Sequence, residues 1–228
     1  MNKEELKILL KENNIPFTDE SIDLLIDYMD YVLDMNEKIN LTAIKDRDAF
    51  MTLMVYDSAL SLRLTSFDNK KVLDIGTGGG YPGTVIATLS SAHVDMMDST
   101  NKKLEVIKSY PKKSFSTINA RAEEYIVNHR EEYDIVIARA VSNLSILLEL
   151  AIPYVKVGGY FIAMKGKEGE EELKEATSSL KKLGAKVEKI DTINLPSGET
   201  RINILIKKES ATNIKYPRKY QDIKRKPL

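Results

Sequence analysis

A run of five glycines and one proline restricts the fold more than any other feature of the chain. The stretch Val72–Gly83 reads VLDIGTGGGYPG, and its first four residues have the composition of a buried strand. Glycine loses more backbone entropy on folding than any other residue, so such a cluster indicates that something approaches the backbone closely. Pro82 suits the first turn of a helix. The pattern therefore predicts a strand, a glycine loop and a helix in succession.

Short β-rich runs alternate with helical runs from Lys71 onward. The predicted strands are Lys71–Gly76, His93–Asp98, Ser116–Ala120, Tyr133–Ala140, Gly159–Gly166, Lys186–Leu195 and Arg201–Lys208. Strands that alternate with helices indicate βαβ units and a mostly parallel sheet. The last two runs alternate in polarity and are separated only by PSGET, so we expect them to close the sheet as an antiparallel pair.

The N-terminal 65 residues have helical periodicity instead. Thr18 is the expected N-cap of the second helix, and a third helix is predicted from about Asp48 to Leu64. We interpret residues 1–65 as a helical cap, residues 66–210 as an α/β domain and residues 211–228 as a basic tail.

The composition excludes several classes of site. The 228 residues contain no cysteine, so disulfides, thiolate metal sites and cysteine nucleophiles are excluded. The apolar runs are too short to span a bilayer, and the first residues lack the pattern of a signal peptide. We expect a cytoplasmic monomer with no metal and no membrane contact.

The charge is concentrated at the C-terminus. The net charge is zero, yet the last sixteen residues hold six bases and one acid. The basic residues are Lys215, Arg218, Lys219, Lys224, Arg225 and Lys226. Tyr216 and Tyr220 interleave with them, a mixture that suits phosphates and stacked bases. We expect an RNA-binding tail that is extended and partly disordered before RNA arrives; the alternative is a solvated end that binds nothing.

The glycines fit two ligand frames at the crevice where parallel strands end. Gly78–Gly83 matches the G-x-G-x-x-G of dinucleotide binders, a weak signal in any glycine cluster. The second frame is Asp74, Gly76, Gly78 and Gly80. It resembles the first motif of the Rossmann-like S-adenosylmethionine-dependent methyltransferases, whose sheet also has an antiparallel C-terminal pair. Asp98 ends the second strand and suits the ribose hydroxyls of either cofactor.

Several further blocks follow one another in order along the chain. They are NEKINLTAI, YDS, DIGTGGGYPG, DSTNKK, RAEEY, YDIVIARAV, AMKG and YPRK. Together they resemble the glucose-inhibited division protein B family, known also as ribosomal RNA small subunit methyltransferase G. The resemblance covers essentially the whole chain. It implies methyl transfer from S-adenosylmethionine to ring nitrogen 7 of one guanine in 16S ribosomal RNA or the small ribosomal subunit.

The resemblance also implies which residues bind the cofactor. Gly76 and Tyr81 belong to the glycine loop, Ala122 and Glu123 to the adenine site, and Arg139 to the methionine end and the reacting centre. The glycine frame adds Gly78 to these cofactor residues, and the position of Asp98 at the end of the second predicted strand adds Asp98.

Three residues near this expected site keep two interpretations, and a fourth departs from the family pattern. Arg139 is the catalytic candidate, as a grip on the methionine carboxylate or a donor to the guanine; the alternative is an ion pair with a neighbouring helix. Lys165 is an RNA-phosphate candidate or a solvated charge. The family pattern places Asp57 near the mouth of the site, although helix capping explains it nearly as well. Met54 stands where many members have His.

The expected reaction agrees with the residue types. Nitrogen 7 of guanine has a lone pair and no proton to lose, so proximity and orientation suffice. Pyrimidine carbon-5 methylation needs a cysteine, which the chain lacks. The remaining alternatives are a methyltransferase acting on another RNA guanine, a dinucleotide-binding oxidoreductase, and a non-catalytic ribosome-binding module that retains the cofactor.

Overall fold

A seven-stranded sheet forms the centre of the computed structural model, which describes residues 1–112, 114–139 and 141–228. The strands are β1 Lys71–Ile75, β2 His93–Asp98, β3 Ser116–Asn119, β4 Tyr133–Arg139, β5 Val155–Lys165, β6 Ala185–Asn194 and β7 Thr200–Lys208. Their spatial order is β3-β2-β1-β4-β5-β7-β6. β1 to β5 pair in parallel, and β7 is antiparallel to both β5 and β6. The predicted fold class, with its antiparallel C-terminal pair, is confirmed.

Helices flank both faces of this sheet. They are α1 Lys3–Glu12, α2 Asp19–Asn36, α3 Arg47–Phe50, α4 Asp57–Ala59, α5 Gly83–Leu89, α6 Asn101–Ser109, α7 Ala122–Tyr125, α8 Leu144–Ala151, α9 Gly169–Glu175, α10 Thr177–Leu183 and α11 Tyr220–Arg225. A parallel sheet covered on both faces needs strands that are apolar throughout. β1 fits apart from Asp74 near its end, since Val72, Leu73 and Ile75 are all buried. β4 ends at Arg139, and the predicted strand residue Ala140 lies outside the described residues.

The N-terminal helices pack on the α5 side of the sheet. Thr18 caps α2 as predicted, since its Oγ1 accepts a hydrogen bond from the Ser21 N–H at 3.1 Å. Tyr28 of α2 and Phe50 of α3 share one apolar cluster with Val85 of α5. The cap and the glycine-loop helix are therefore held by a common core.

The predicted third helix is not one regular helix. α3 passes into a π-helical turn at Met51–Tyr56, then into α4, then into a 3₁₀ turn at Leu60–Arg63. A π-helical turn closes its hydrogen bond one residue later than an α-helical turn does. Such turns often occur at functional sites. This one carries Leu53 and Met54, which contact Arg139 from across the molecule.

The expectation of an extended, partly disordered tail is wrong. The tail contains α11, whose Ile223 is fully buried, and Tyr216 is only 7% exposed. Arg130 donates hydrogen bonds to the Tyr216 and Thr212 carbonyls, at 2.7 and 3.1 Å. The apolar residues of the tail recur at helical spacing. They stand among positively charged residues, so the sequence did not lead to the prediction of a helix there.

Among the helices of the described ranges, none combines the length and the apolar composition that crossing a bilayer requires.

Candidate functional site

Asp74 anchors the glycine loop from the end of β1. Its side chain is fully buried, and its Oδ2 accepts hydrogen bonds from the Thr77 hydroxyl at 2.7 Å and the Gly83 N–H at 2.9 Å. Burial raises the pKa of the Asp74 carboxyl to about 6. These two donors lie at opposite ends of the loop, so one carboxylate holds both the exit from β1 and the start of α5.

Two glycines of the loop serve different purposes. Gly80 has φ +90°, and a Cβ there would overlap the hydroxyl of Tyr28, which donates to the Gly79 carbonyl at 3.0 Å. Gly78 has φ +59°, and the nearest atom to its added Cβ, the Gly76 carbonyl oxygen, lies 4.0 Å away. Gly80 therefore lets the cap approach the loop, whereas Gly78 leaves the opposite side of the loop open.

Asp98 connects the end of β2 to the loop. Its Oδ2 accepts from the Gly78 N–H at 3.1 Å and its Oδ1 from the Thr100 N–H at 2.8 Å. The residue is 8% exposed. Asp98 thus holds the loop in place, and its contact with a ribose stays a prediction.

A cleft of about 360 Å³ opens at the carboxyl ends of β1, β2 and β4, and we call it the loop cleft. Its lining includes five of the predicted cofactor residues, Gly76, Asp98, Ala122, Glu123 and Arg139. Because parallel strands end at one edge of the sheet, these five residues, which are up to 63 positions apart in sequence, meet here. The volume is within the range of small-molecule sites.

Tyr81 lies away from the loop cleft. It is 3% exposed, and its ring centroid lies 5.4 Å from that of Phe50 and 5.7 Å from that of Tyr28. Its hydroxyl is buried with no hydrogen-bond partner among the described residues. The side chain belongs to the interior of the cap, and its contact with a cofactor stays a prediction.

Arg139 ends β4 and reaches the cap. Its Nη1 donates to the Leu53 carbonyl at 3.0 Å, and its Nη2 contacts the Met54 sulfur at 3.0 Å. Asp57 Oδ2 lies 3.7 Å from Nη1, so the ion pair with a neighbouring helix is present. Burial lowers the pKa of the guanidinium, which still stays protonated at neutral pH.

A second cleft lies on the other side of Arg139, between the cap and β5, and we call it the cap cleft. Its volume is about 350 Å³, and its lining includes Met54, Asp57, Arg139, Lys165 and Arg201. Asp57 Oδ2 accepts from Arg201 Nε at 3.0 Å. Burial raises the pKa of the Asp57 carboxyl, while Arg139 and Arg201 act in the opposite direction. Arg139 lines both clefts.

The amino-acid sequence matches a family of methyltransferases. The family model described as GidB, rRNA small subunit methyltransferase G, matches residues 21–201. The chain belongs to this family. Curated relatives with the name ribosomal RNA small subunit methyltransferase G include one from Clostridium botulinum, 38% identical over 94% of both chains. Another, from Acetivibrio thermocellus, is 39% identical over the whole of both chains.

Solved structures agree on the fold. A Listeria monocytogenes structure described as an S-adenosylmethionine-dependent methyltransferase covers 68% of this chain and 99% of its own, with a TM-score of 0.53 and 13% identity. A Pyrococcus horikoshii structure described as an RNA methyltransferase covers 69% of this chain and 82% of its own, with a TM-score of 0.53 and 16% identity. The fold of this family member is that of the S-adenosylmethionine-dependent methyltransferases.

Three of the predicted RNA-binding cations are held in ion pairs, and the pair of Arg225 with Asp222 is the exposed one. Lys165 has a side chain only 5% exposed, with its Nζ 2.7 Å from Glu172 Oε2. Arg218 donates to the fully buried Glu149 from both Nε, at 2.9 Å, and Nη2, at 2.6 Å. The predicted cations Lys215, Lys219, Lys224, Arg225 and Lys226 are exposed. RNA contact by each of them stays a prediction.

Sequence reasoning missed two residues that line the clefts. Arg201 was assigned only to a strand, and Tyr220 was assigned with the tail to RNA. Arg201 lines the cap cleft and Tyr220 lines the loop cleft. A charged residue at the start of the predicted strand, directly before the apolar residue Ile202, was the available signal for Arg201. Nothing local in the sequence related Tyr220 to residues 122–123.

Proposed function

We propose that this protein transfers the methyl group of S-adenosylmethionine to ring nitrogen 7 of a guanine in 16S ribosomal RNA. One observation carries the proposal: Arg139 lines both the loop cleft and the cap cleft. A transfer reaction needs two ligands that meet at one point, and Arg139 is common to the two clefts that would hold them. Membership in an rRNA methyltransferase family supports the choice of reaction.

The loop cleft is the proposed cofactor site. S-adenosylmethionine supplies a methyl carbon bound to a sulfonium sulfur, an electrophile for direct displacement. Gly76 and the open side of Gly78 would lie along the cofactor, Asp98 at its ribose, and Ala122 and Glu123 at its adenine. The fit is supported by the 4.0 Å between an added Cβ at Gly78 and the nearest atom, and by the presence of Asp98, Ala122 and Glu123 in the lining of one cleft.

The cap cleft is the proposed site of the guanine. Its lining carries three cations, Arg139, Lys165 and Arg201, and one buried carboxylate, Asp57. Guanine presents two acceptors, nitrogen 7 and oxygen 6, on one edge, and arginine donors suit that edge. Nitrogen 7 needs no general base, so correct placement of the base is the main requirement and is worth about 7 to 11 kcal/mol.

A transcript without nitrogen 7 tests the reaction directly. The purified protein should transfer label from methyl-labelled S-adenosylmethionine to a 16S transcript, and 7-methylguanosine should be recovered from it. A matched transcript made with 7-deazaguanosine in place of guanosine should accept no label. Equal labelling of the two transcripts would overturn the assignment to nitrogen 7, and no labelling of either would overturn the proposed function. A cytoplasmic location is part of this proposal.

The exposed cations of the tail are the proposed contacts to RNA phosphate. Changing Lys219, Lys224 and Lys226 to Gln should flatten the dependence of RNA affinity on salt. Each lost phosphate contact contributes about 0.7 to 0.9 to the slope of log affinity against log salt concentration, so the triple variant should lose up to about 2 to 3. An unchanged slope would mean that these lysines do not contact RNA phosphate and that RNA binds to another surface of the folded protein.

A further inference from the structure

The C-terminal helix contributes a residue to the loop cleft. Tyr220, the first residue of α11, lines this cleft together with Ala122 and Glu123. Its ring is partly buried and packs against the apolar cluster that contains Leu150 of α8. Tyr220 also lines a neighbouring cleft, which it shares with Arg121 and Glu123. Tyr220 is therefore one of three residues, with Arg121 and Glu123, that line both clefts.

We propose that Tyr220 forms an aromatic wall against which the adenine ring of the cofactor stacks. This inference rests on the proposed function, which assigns Ala122 and Glu123 to the adenine. Every base presents a π-face, so an aromatic side chain beside an adenine site adds binding energy without any specific hydrogen bond. Glu123 also lines this cleft, and its carboxylate can accept a hydrogen bond from an exocyclic amine at the edge of the base.

The segment before Tyr220 is fixed by a charged contact. Arg218 donates to Glu149 Oε1 from its backbone N–H at 2.8 Å and from its Nε at 2.9 Å. Glu149 lies on α8, next to Leu150 of the loop cleft, and is fully buried. A carboxylate buried at this depth needs its partner, so the backbone two residues before Tyr220 has little freedom.

The segment after Tyr220 is fixed by apolar packing. Ile223 is fully buried in the cluster that includes Ala122 and Leu150. At the end of the chain the Leu228 carbonyl accepts from the Ser179 hydroxyl at 2.7 Å. With anchors on both sides, the Tyr220 ring is positioned before any ligand binds, which reduces the entropy lost on stacking.

Titration calorimetry on the full chain tests the proposal. S-adenosylhomocysteine and 5′-methylthioadenosine both carry the adenine, and only the first carries the amino-acid end. Tyr220→Ala and Tyr220→Leu should weaken both ligands by a similar factor, about 5- to 100-fold, the range expected for base–aromatic stacking. Tyr220→Phe keeps the ring and should bind within about twofold of the unchanged protein. Gln221→Ala, at the exposed neighbouring position, is the matched control.

The outcomes separate this inference from the proposed function. If the unchanged protein binds S-adenosylhomocysteine and Tyr220→Ala binds it equally well, the stacking role is wrong while the cofactor assignment stands. Equal losses in Tyr220→Phe and Tyr220→Ala would also overturn it, because a ring would then not be what matters. If the unchanged protein binds neither ligand, both proposals fail. Thermal unfolding of each variant identifies any loss caused by unfolding, and Tyr220→Leu, which keeps apolar bulk, serves if Tyr220→Ala does not fold.

Discussion

At the scale of single residues, Arg139 connects the parts of the site. Its guanidinium contacts the Leu53 carbonyl, the Met54 sulfur and the carboxylate of Asp57 while lining both clefts. Five donors in a planar fork allow such a side chain to keep its structural contacts and still offer a donor to a ligand. The ion-pair and functional interpretations of Arg139 are therefore compatible.

Arg139→Ala should lower the rate of methyl transfer by more than its effect on cofactor affinity explains. Charged hydrogen bonds contribute about 1.5 to 3 kcal/mol, which corresponds to about 10- to 100-fold in rate. Arg139→Lys should recover little, because an ammonium cannot reproduce the fork. Arg47→Ala removes an arginine whose pair with Asp30 is half exposed, and it serves as the control. The rate is measured with labelled cofactor and the cofactor affinity by calorimetry. Normal turnover in Arg139→Ala would show that the role of Arg139 is only structural.

Asp74 makes stability depend on pH in a predictable direction. Its folded-state pKa is about 6 against 3.8 in the unfolded chain, because burial disfavours the charged form. The folded state therefore binds more protons than the unfolded state between these values, and the free energy of unfolding should fall as pH rises from about 4 to about 6. The expected fall is about 3 kcal/mol, at 1.36 kcal/mol per pKa unit.

Asp74→Asn should lack that part of the pH dependence. Urea unfolding of the ligand-free protein at several pH values gives the difference between the two proteins, so that other titrating groups cancel. A difference that stays constant between pH 4 and pH 6 would contradict the raised pKa of Asp74.

At the scale of elements, the β1–α5 loop needs glycine for two reasons, its backbone conformation and the space that a side chain would fill. The backbone at Gly78 and Gly80 is left-handed at both positions, with φ of +59° and +90°. Only at Gly80 would a Cβ also meet side chains, the Tyr28 hydroxyl and, at 2.9 Å, Thr84 Oγ1. Adding a side chain should therefore cost a different amount of stability at Gly78 than at Gly80.

Gly80→Ala should destabilise the protein more than Gly78→Ala. The left-handed backbone costs each alanine about 1 to 2 kcal/mol. The overlap with Tyr28 should add about 1 to 3 kcal/mol at Gly80 alone. Thermal or urea unfolding of the two variants compares them directly, and equal losses would mean that the cap does not press on the loop at Gly80.

At the scale of the whole molecule, the C-terminal tail is part of the body. It buries Ile223, pairs Arg218 with Glu149 and lies along the loop cleft through Tyr220. Glu149 is fully buried, so removing its partner would leave an unpaired charge in the interior. The tail therefore contributes to stability and to the site at the same time.

Arg218→Ala should lower the free energy of unfolding by about 3 kcal/mol or more, the cost of leaving a buried charge unpaired. Arg225→Ala is the matched control in the same tail, since its pair with Asp222 is exposed and should contribute about 0 to 1 kcal/mol. Glu149→Gln should recover part of the loss when it is added to Arg218→Ala. Urea unfolding measures all four proteins, and equal effects of the two arginine variants would show that Glu149 does not need Arg218.

Local pattern was sufficient for much of the fold. Val72–Ile75, the glycines after it and the alternating runs that follow predicted the strands, because strand periodicity and loop chemistry act over a few residues. The order of β5, β7 and β6 was consistent with the predicted antiparallel pair. The motif blocks predicted the family, and the loop cleft contains four of the five cofactor residues that they implied, together with Asp98, which was predicted from its place at the end of the second strand.

Tertiary structure decided what depends on contacts between distant parts of the chain. The π-helical turn at Met51–Tyr56 carries two of the groups that meet Arg139, more than 80 positions away. Tyr220 lines the same cleft as Ala122, and the tail is held there by the pair of Arg218 with a buried carboxylate on α8 and by the packing of Ile223. Such contacts exchange chain entropy for burial and charge pairing between segments that no local pattern relates. The tail was therefore predicted from sequence to be extended and partly disordered, whereas in the structure it packs on the domain and lines the loop cleft through Tyr220.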